Sequence, residues 1–559
     1  MNALMKTLPM VIAAATLVAC NAEQDGGGNK AQNMNGQAVD GRIANGLVFV
    51  DRNGNGKWDP AIEASARTDS QGFFSFNPGD PEATPAVPAV DYCSLPNSDP
   101  LTRHCLEYST NSSSAQIIIT GGVDISTGER LKAAMALGTS LTDARATSAT
   151  EMKRISPIST LLNAVTSASD REAILEAIAG SGANENDVLR TDFSTASDAN
   201  QRRMLANAVI IVSLQNLVND VKGEGSDDRT PAQRQQDVAK AIAQSIASGD
   251  NLLDNPTALN TFMTNQLTGT GVDSAQITRA QASANAVRTA LKKIEDAPDS
   301  TNMAARIRTA EVVFQLARRS AVSNDADATT RIGEIDDTVL NTITTEIGNL
   351  GSGQDLDVQG FTDTIKSQNL GTADFAAARQ SAALSALPDE AEWNDTWRVF
   401  EVDRSTIEEG DGDDINLDDS YFAFYLGGDE NGGPIRACFN VVYKEGVEAD
   451  NDFDLNKQFV SGNWDKISDA RLAIELTWSK FTRDGQMVYL GNQARNTAPQ
   501  TGNFDVFQLS HDGDDAEGSI KETVLLDTTL TSRLNDQDTV PLNNEGCEAI
   551  HNVLFPAAT

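Results

Sequence analysis

The spacing of apolar residues changes twice along the chain, and this change limits the possible fold more than any other feature. Near the start, Val48 and Val50 stand at alternate positions, as in a strand that buries one face. In the middle, apolar residues recur every three or four positions, as on one side of a helix. Later, Leu472, Ile474 and Leu476 alternate again. The sequence therefore predicts an α+β multidomain chain.

Three folded regions follow from this pattern, because 559 residues are enough for more than one hydrophobic core. We predict a β-sandwich module at residues 39–120, an α-helical domain at 121–385 and an antiparallel β domain at 390–559.

The N-terminal module is built from two stretches that flank a polar loop. GRIANGLVFVD (41–51) precedes the loop, and RTDSQGFFSF (67–76) follows it with a turn and a strand. This pair resembles the small prealbumin-like β-sandwiches of bacterial surface proteins, which are related to the carboxypeptidase regulatory domain. The resemblance implies a structural or binding module without catalytic activity.

The loop between these strands, DRNGNGKWD (51–59), has oxygen-bearing side chains at alternate positions. Its spacing resembles that of an EF-hand loop, in which such side chains surround Ca²⁺. Gly56 stands at the sixth position, where a sharp turn is needed, while the twelfth position holds Ile62 and Glu63 comes one residue late. An Asn-Gly turn without an ion is the alternative. The candidate ligands are Asp51, Asn53, Asn55, Lys57 through its carbonyl, and Asp59.

The central region is poor in aromatic residues and rich in helix start and stop signals. Thr230 and Pro231 mark the beginning of one helix and Gly249 its end. We expect a bundle of roughly six to nine helices. One predicted helix carries a stripe of apolar residues along one face. We expect this stripe to pack inside the bundle; binding of a partner is the alternative. The stripe comprises Ile277, Ala280, Ala284, Val287, Leu291 and Ile294.

The C-terminal region contains two sequences typical of hairpins. One is YFAFYLGGDENGGPIRACFNVVY (421–443) and the other is RLAIELTWSKFTRDGQMVYLG (471–491), and Trp397 lies in the opening strand. This succession looks like an antiparallel meander and is weakly similar to lipocalins. The resemblance implies a barrel whose apolar interior can hold a small hydrophobic molecule. A solid sandwich without a cavity is the alternative.

The N-terminus has the features of an export signal. Lys6 precedes an apolar run of about a dozen residues, too short to span a bilayer. The run ends in LVAC, which resembles the lipobox of bacterial lipoproteins. The resemblance implies removal of residues 1–19 and acylation of Cys20, with residues 20–38 as a lipidated flexible tether. The alternative is an ordinary secretion signal with an incidental cysteine.

Membrane attachment, on this interpretation, comes from the lipid at Cys20. Asn21 favours the outer membrane under the enteric sorting rule, and the periplasmic face of the inner membrane remains the alternative. The other four cysteines are expected to form disulfides in an oxidising compartment. Proximity in sequence favours Cys93 with Cys105 and Cys438 with Cys547 over the other two pairings.

The charge of the chain argues against nucleic acid as a partner. Its 43 basic and 80 acidic residues give a net charge of −37. Such a chain is repelled by nucleic acid and by anionic lipid headgroups.

No catalytic motif stands out in the sequence. The three histidines, His104, His511 and His551, lie outside any zinc-binding spacing, and nucleophile-elbow, Walker and dinucleotide-binding patterns are missing. We therefore predict a non-enzymatic envelope lipoprotein that works with a membrane protein in the uptake of a hydrophobic substrate, such as a lipid or an alkane. A structural or adhesive surface lipoprotein is the alternative.

Overall fold

The chain has a mixed α+β fold, as the sequence predicts. The computed structural model describes residues 32–44, 46–56, 58–59, 62–69, 71–79, 88–94, 105–108, 115–124, 131, 134–138, 151–223, 231–351, 354–384, 397–402, 421–427, 432–440, 458–468, 471–483, 486–495, 504–506, 509–510, 522–526, 547 and 549–551. The predicted signal peptide and Cys20 lie outside these residues.

The first third of the chain forms several small sheets. The largest has four strands in the order β12-β10-β4-β5, and a three-stranded sheet has the order β13-β2-β6. The strands are Gln32–Met34 (β1), Gly36–Ala38 (β2), Ile43–Ala44 (β3), Leu47–Asp51 (β4), Ser65–Arg67 (β5), Phe73–Phe74 (β6), Phe76–Asn77 (β7), Val90–Asp91 (β8), Leu106–Tyr108 (β9), Gln116–Thr120 (β10), Val123–Asp124 (β11), Met135–Gly138 (β12) and Arg154–Ile155 (β13).

The β region begins earlier and ends later than the sequence predicts. Strands β1 and β2 lie within residues 20–38, which we assigned to the tether, and β11, β12 and β13 lie beyond residue 120. The predicted limits are wrong because these strands are only two to four residues long and lack visible alternation. Their partners are distant: β1 pairs with β9, and β2 with β13 and β6.

The turn predicted from DSQG is held by one side chain. The Oδ1 atom of Asp69 accepts hydrogen bonds from the backbone N–H groups of Gln71 and Phe73. Its Oδ2 atom accepts from the Asn77 amide and the Tyr92 hydroxyl, both at 2.8 Å. Asp69 therefore fixes the turn and joins it to the next strands.

Helices occupy most of the chain from residue 157 to 382. The described residues contain twelve α-helices, more than the expected number, because several short ones begin at local caps such as Asn184 and Asp325. The helices are Pro157–Asn163 (α1), Ala168–Ala179 (α2), Glu185–Arg190 (α3), Ala199–Lys222 (α4), Pro231–Ala247 (α5), Pro256–Leu267 (α6), Ser274–Glu295 (α7), Met303–Ala321 (α8), Ala326–Gly333 (α9), Asp337–Gly348 (α10), Val358–Lys366 (α11) and Thr372–Ala382 (α12).

The stripe on α7 faces the protein interior. Five of its six residues are buried, from Ala280 to Ile294, and the first, Ile277, packs against the same core. Helices α4 and α8 pack against α7. Small alanine side chains on the stripe let the neighbouring helices approach closely.

The first β region and the helices share one hydrophobic core. This core extends from Met34 in β1 through Ile117 in β10 to Leu214 in α4 and Ala382 in α12. Ser156 begins α1 with a reciprocal capping box, in which its hydroxyl and that of Ser159 bond each other's backbone N–H. The described residues between 32 and 384 therefore form one packed unit. A two-stranded ladder, Asp355–Leu356 (β14) with Ala383–Leu384 (β15), closes its end.

The C-terminal region forms a nine-stranded antiparallel sheet in the order β22-β24-β16-β17-β18-β19-β20-β21-β23. Both predicted hairpins are present, since β17 pairs with β18 and β20 with β21. The strands are Trp397–Val402 (β16), Tyr421–Leu426 (β17), Gly432–Asn440 (β18), Gln458–Ser468 (β19), Arg471–Arg483 (β20), Gln486–Arg495 (β21), Phe504–Val506 (β22), Leu509–Ser510 (β23) and Glu522–Leu526 (β24).

Candidate functional site

The β4–β5 loop (residues 51–63) folds around two buried carboxylates, of which Asp51 is the first. Asp51 is 2% exposed, and its Oδ1 and Oδ2 atoms accept hydrogen bonds from the N–H groups of Gly54 (2.7 Å) and Gly56 (3.0 Å). The φ angle of Gly56 is +69°, in the left-handed region that glycine adopts without strain. The sixth position of the loop therefore makes the sharp turn that the motif requires.

The second carboxylate belongs to Glu63, which the EF-hand spacing did not select. Glu63 is 5% exposed, and its two oxygens accept hydrogen bonds from the N–H groups of Arg52 (2.8 Å) and Asp59 (2.9 Å). The residue at the twelfth position, Ile62, is 51% exposed. The loop thus uses an acidic residue one position later than the motif. In the sequence, the only sign of this role was the presence of an acidic residue directly after the twelfth position.

The negatively charged carboxylates of Asp51 and Glu63 repel each other inside this loop. Burial raises the pKa of the Glu63 carboxyl; the Asp59 and Arg52 N–H groups oppose this shift, and the negative charge of Asp51 adds to it. A bound cation would neutralise both carboxylates at once, and carboxylate and amide oxygens are the ligands that Ca²⁺ prefers.

The remaining predicted ligands lie toward the solvent side of the loop. Asn53 is exposed, and its Oδ1 atom accepts a hydrogen bond from the N–H of Asn55 (3.0 Å). Asp59 is half-buried, and Lys57 lies outside the described residues. Within the part of the chain that the structure describes, no group of three or more His, Cys, Asp or Glu side chains is arranged to hold a metal. Calcium binding stays a prediction.

The loop also covers one face of the four-stranded sheet. Trp58 is 9% exposed, and its Nε1 donates a hydrogen bond to the Glu63 carbonyl at 3.2 Å. The opposite face of the same sheet packs on the helices. Through Trp58, the loop is therefore part of a second, small apolar cluster. This cluster is formed by Leu47, Phe49, Trp58, Ile118, Ala134 and Ala136.

The C-terminal sheet is buried on both faces of its first three strands. On one face, Val399, Ala423 and Cys438 are successive cross-strand partners, and each is 1% exposed or less. Cys547 forms a disulfide with Cys438, and Ile550 packs into the same cluster. The short helical segment at 547–551 therefore covers this face.

The other face of these strands carries a second set of buried apolar side chains. Leu426 pairs with Ile435, and Phe424 pairs with Ala437. The exposed fraction is 2% for Leu426, 7% for Phe424 and 0% for both Ile435 and Ala437. The segment at 547–551 packs on the opposite face of the sheet. The face that carries Phe424 and Ala437 is therefore covered by another part of the protein.

Both predicted disulfides are present. Cys93 is bonded to Cys105, with Cα atoms 4.6 Å apart, and Cys438 to Cys547, with Cα atoms 5.4 Å apart. The first bond joins the segment after β8 to the start of β9. The second joins residues 109 positions apart in sequence.

The histidines do not form a site in the described residues. His551 stacks on the ring of Tyr421, with centroids 6.1 Å apart. His104 and His511 lie outside the residues that the structure describes.

One described helix, α4, is long and apolar enough to cross a membrane by length and composition. In its most apolar window 78% of the residues are buried inside the protein. This burial is typical of a core helix.

Comparison with protein-family models, curated proteins and solved structures gives no significant match.

Proposed function

We propose that the chain is a non-enzymatic, exported lipoprotein of the cell envelope. Its C-terminal sheet closes into a barrel that binds a hydrophobic small molecule, a lipid or a hydrocarbon, for a membrane partner. The observation that carries this proposal is the strand register of the sheet, which puts apolar residues next to one another on one face across successive strands.

Closure of the sheet is supported by the two strands at its ends. Strands β22 and β23 are separated by only two residues in sequence. β22 pairs with β24, β23 pairs with β21, and β22 also packs against β21. Together, β22 and β23 thus bridge β24 and β21. Counted as one strand, they reduce the nine strands of the sheet to eight. The result is an up-and-down barrel of eight strands, in which each strand neighbours the next in sequence.

The register supports an apolar interior. In neighbouring strands, Leu426, Ile435, Gly462, Leu476, Leu490 and Leu509 are successive partners. A parallel row contains Leu526, Phe400, Phe422 and Phe439. These rows lie on the same face as the buried Phe424 and Ala437, opposite the face that the segment at 547–551 covers. The apolar face is therefore the inside of the barrel.

An eight-stranded barrel either fills its interior with side chains or holds one small ligand. Gly462 and Ala437 stand among the interior positions, and their small size leaves room along the rows. A cavity of this kind suits a linear apolar molecule, since such pockets bind mainly by removing apolar surface from water.

The position at a membrane is supported by the sequence, and export is supported by the disulfides. The LVAC motif ending at Cys20 lies outside the described residues and supplies the anchor in this proposal. The two disulfides of the structure fit an oxidising compartment, where exported proteins fold. Asn21 favours the outer membrane over the periplasmic face of the inner membrane.

The ligand is tested with the mature chain, residues 21–559, exported without its acyl group and freed of lipid by extraction. A fluorescent long-chain fatty acyl probe should bind saturably with one site per chain, and long-chain alkanes or fatty acids should displace it. A short polar analogue is the control and should not compete. A chain that takes up no apolar probe would sink the proposal and leave the structural or adhesive role as the better account.

A further inference from the structure

We propose that Arg398 binds the carboxylate head group of a long-chain acid inside the barrel, so that the ligand is an acyl chain with an acidic end and not an alkane. This inference rests on the proposed function, because it names the class of molecule that the same cavity holds. Arg398 is the second residue of β16, and its side chain is half-buried.

Arg398 lies on the proposed inner face of the sheet. Its neighbours in the strand, Trp397 and Val399, belong to the cluster on the outer face that the C-terminal segment covers. Because successive residues of a strand lie on opposite faces, Arg398 lies on the other side. The register agrees, since Arg398 is paired with Phe424 and Phe424 with Ala437, both of which are buried on the inner face.

Among the described positions of three neighbouring rows on the inner face, Arg398 is the one charged residue. Its own row ends at Val460 in β19. The row of Leu426 and the row of Phe400 flank it, each about 7 Å away along the strands. Both of these rows are uncharged at every described position. A positive charge amid apolar surface is costly unless an anion or hydrogen-bond acceptors compensate it.

The guanidinium of Arg398 suits a carboxylate. One of its nitrogens, Nη1, donates a hydrogen bond to the Trp397 carbonyl at 3.3 Å. A carbonyl is neutral, so this bond holds the side chain against its own strand without cancelling the charge. A guanidinium carries five N–H donors in one plane, and a carboxylate accepts two of them side by side. The apolar rows on both sides then cover the acyl chain, whose removal from water favours binding.

Arg436 provides a matched control on the outer face. It is half-buried like Arg398, and its Nη1 atom likewise donates to the carbonyl of the preceding residue, Ile435, at 3.1 Å. It is paired with Tyr425, which packs against the cluster on the outer face. The two arginines therefore differ mainly in the face of the sheet on which they lie.

The test uses residues 21–559 without the acyl group, freed of lipid, and compares dodecanoate with dodecanol by titration calorimetry at about pH 8, where the acid is ionised. The unmodified chain should bind the acid about tenfold to a hundredfold more tightly than the alcohol, as expected for hydrogen bonds between two charged groups. Arg398→Gln should bind both ligands with the affinity of the alcohol. Arg436→Gln should keep the full preference for the acid.

Equal affinities for the two ligands in the unmodified chain, or the same preference in Arg398→Gln and Arg436→Gln, would overturn the head-group assignment and leave the barrel with a neutral apolar ligand. If Arg398→Gln does not fold, the methyl ester of dodecanoate tests the contact on the unmodified chain. The ester should bind no better than the alcohol, and an ester that binds like the acid would contradict the assignment. A chain that binds none of these ligands would reject the proposed function together with this inference.

Discussion

At the scale of single residues, Asp40 is a buried carboxyl whose charge is poorly compensated. It is 8% exposed, and its Oδ1 atom lacks a hydrogen-bond partner in the structure. Burial raises the pKa of Asp40 well above its usual range, and the negative charges of Asp124 and Glu311 add to this effect. Asp40 lies in the turn after β2, Asp124 in β11 and Glu311 in α8.

The raised pKa of Asp40 predicts a specific pH dependence of stability. The folded chain keeps the proton that the unfolded chain releases above about pH 4, so stability is present below that pH and falls as the pH rises toward the folded-state pKa. Asp40→Asn removes this loss. We expect the variant to be more stable than the unmodified chain at pH 8 by on the order of 1–3 kcal/mol, with the difference vanishing near pH 3.

Urea unfolding at several pH values measures this difference. Asp250→Asn, which changes an exposed carboxylate, is the control and should leave the pH profile unchanged. A constant difference between Asp40→Asn and the unmodified chain at all pH values would contradict the assignment.

At the scale of single elements, local chemistry predicted the hairpins but not the shortest strands. Alternation at Leu472, Ile474 and Leu476 identified β20, because one face of that strand is apolar over several residues. No such signal exists in β2 or β13, which have three and two residues and pair across more than a hundred positions. The limits of the β region were missed for that reason.

The β4–β5 loop shows the same division between local and distant information. The positions of Asp51 and Gly56 followed from the motif, whereas Glu63 was placed by the fold of the loop. The packing of Trp58 on Ile118 depends on the pairing of β4 with β10, residues that lie more than sixty positions apart. A motif of nine residues carries no information on that contact.

Calcium should stabilise this loop if the predicted site is occupied. With the millimolar affinity typical of exported modules, 10 mM Ca²⁺ should raise the stability of the unmodified chain by about 1–3 kcal/mol. Glu63→Gln should remove most of that gain, because the amide keeps the shape of the side chain without its charge. Thermal unfolding in Ca²⁺ or a chelator gives the stability.

Asp250→Asn again provides the control, since it removes an exposed carboxylate outside the loop and should keep the full response to Ca²⁺. An unmodified chain whose unfolding temperature is the same in Ca²⁺ and in chelator would leave the loop as an Asn-Gly turn that carries Trp58.

At the scale of the whole molecule, a compact unit at residues 32–384 and a separate sheet at 397–526 have different roles in this account. The compact unit has one core shared by strands and helices. The sheet contains the rows of apolar register positions. Pairing of β24 with β16 brings Glu522–Leu526 next to Trp397–Val402, a contact that no local pattern in the sequence could predict.

The central claim is that one face of this sheet is the inside of a barrel that holds an apolar ligand. Two adjacent residues of β18 test it most directly, because neighbours in a strand lie on opposite faces. Ala437 is buried on the proposed inner face, and Arg436 lies on the outer face. Affinity for a fluorescent long-chain fatty acyl probe is measured for Ala437→Trp and Arg436→Trp, with circular dichroism to verify that both fold. The account predicts at least a tenfold loss for Ala437→Trp and unchanged binding for Arg436→Trp. Equal affinities in two folded variants would contradict it.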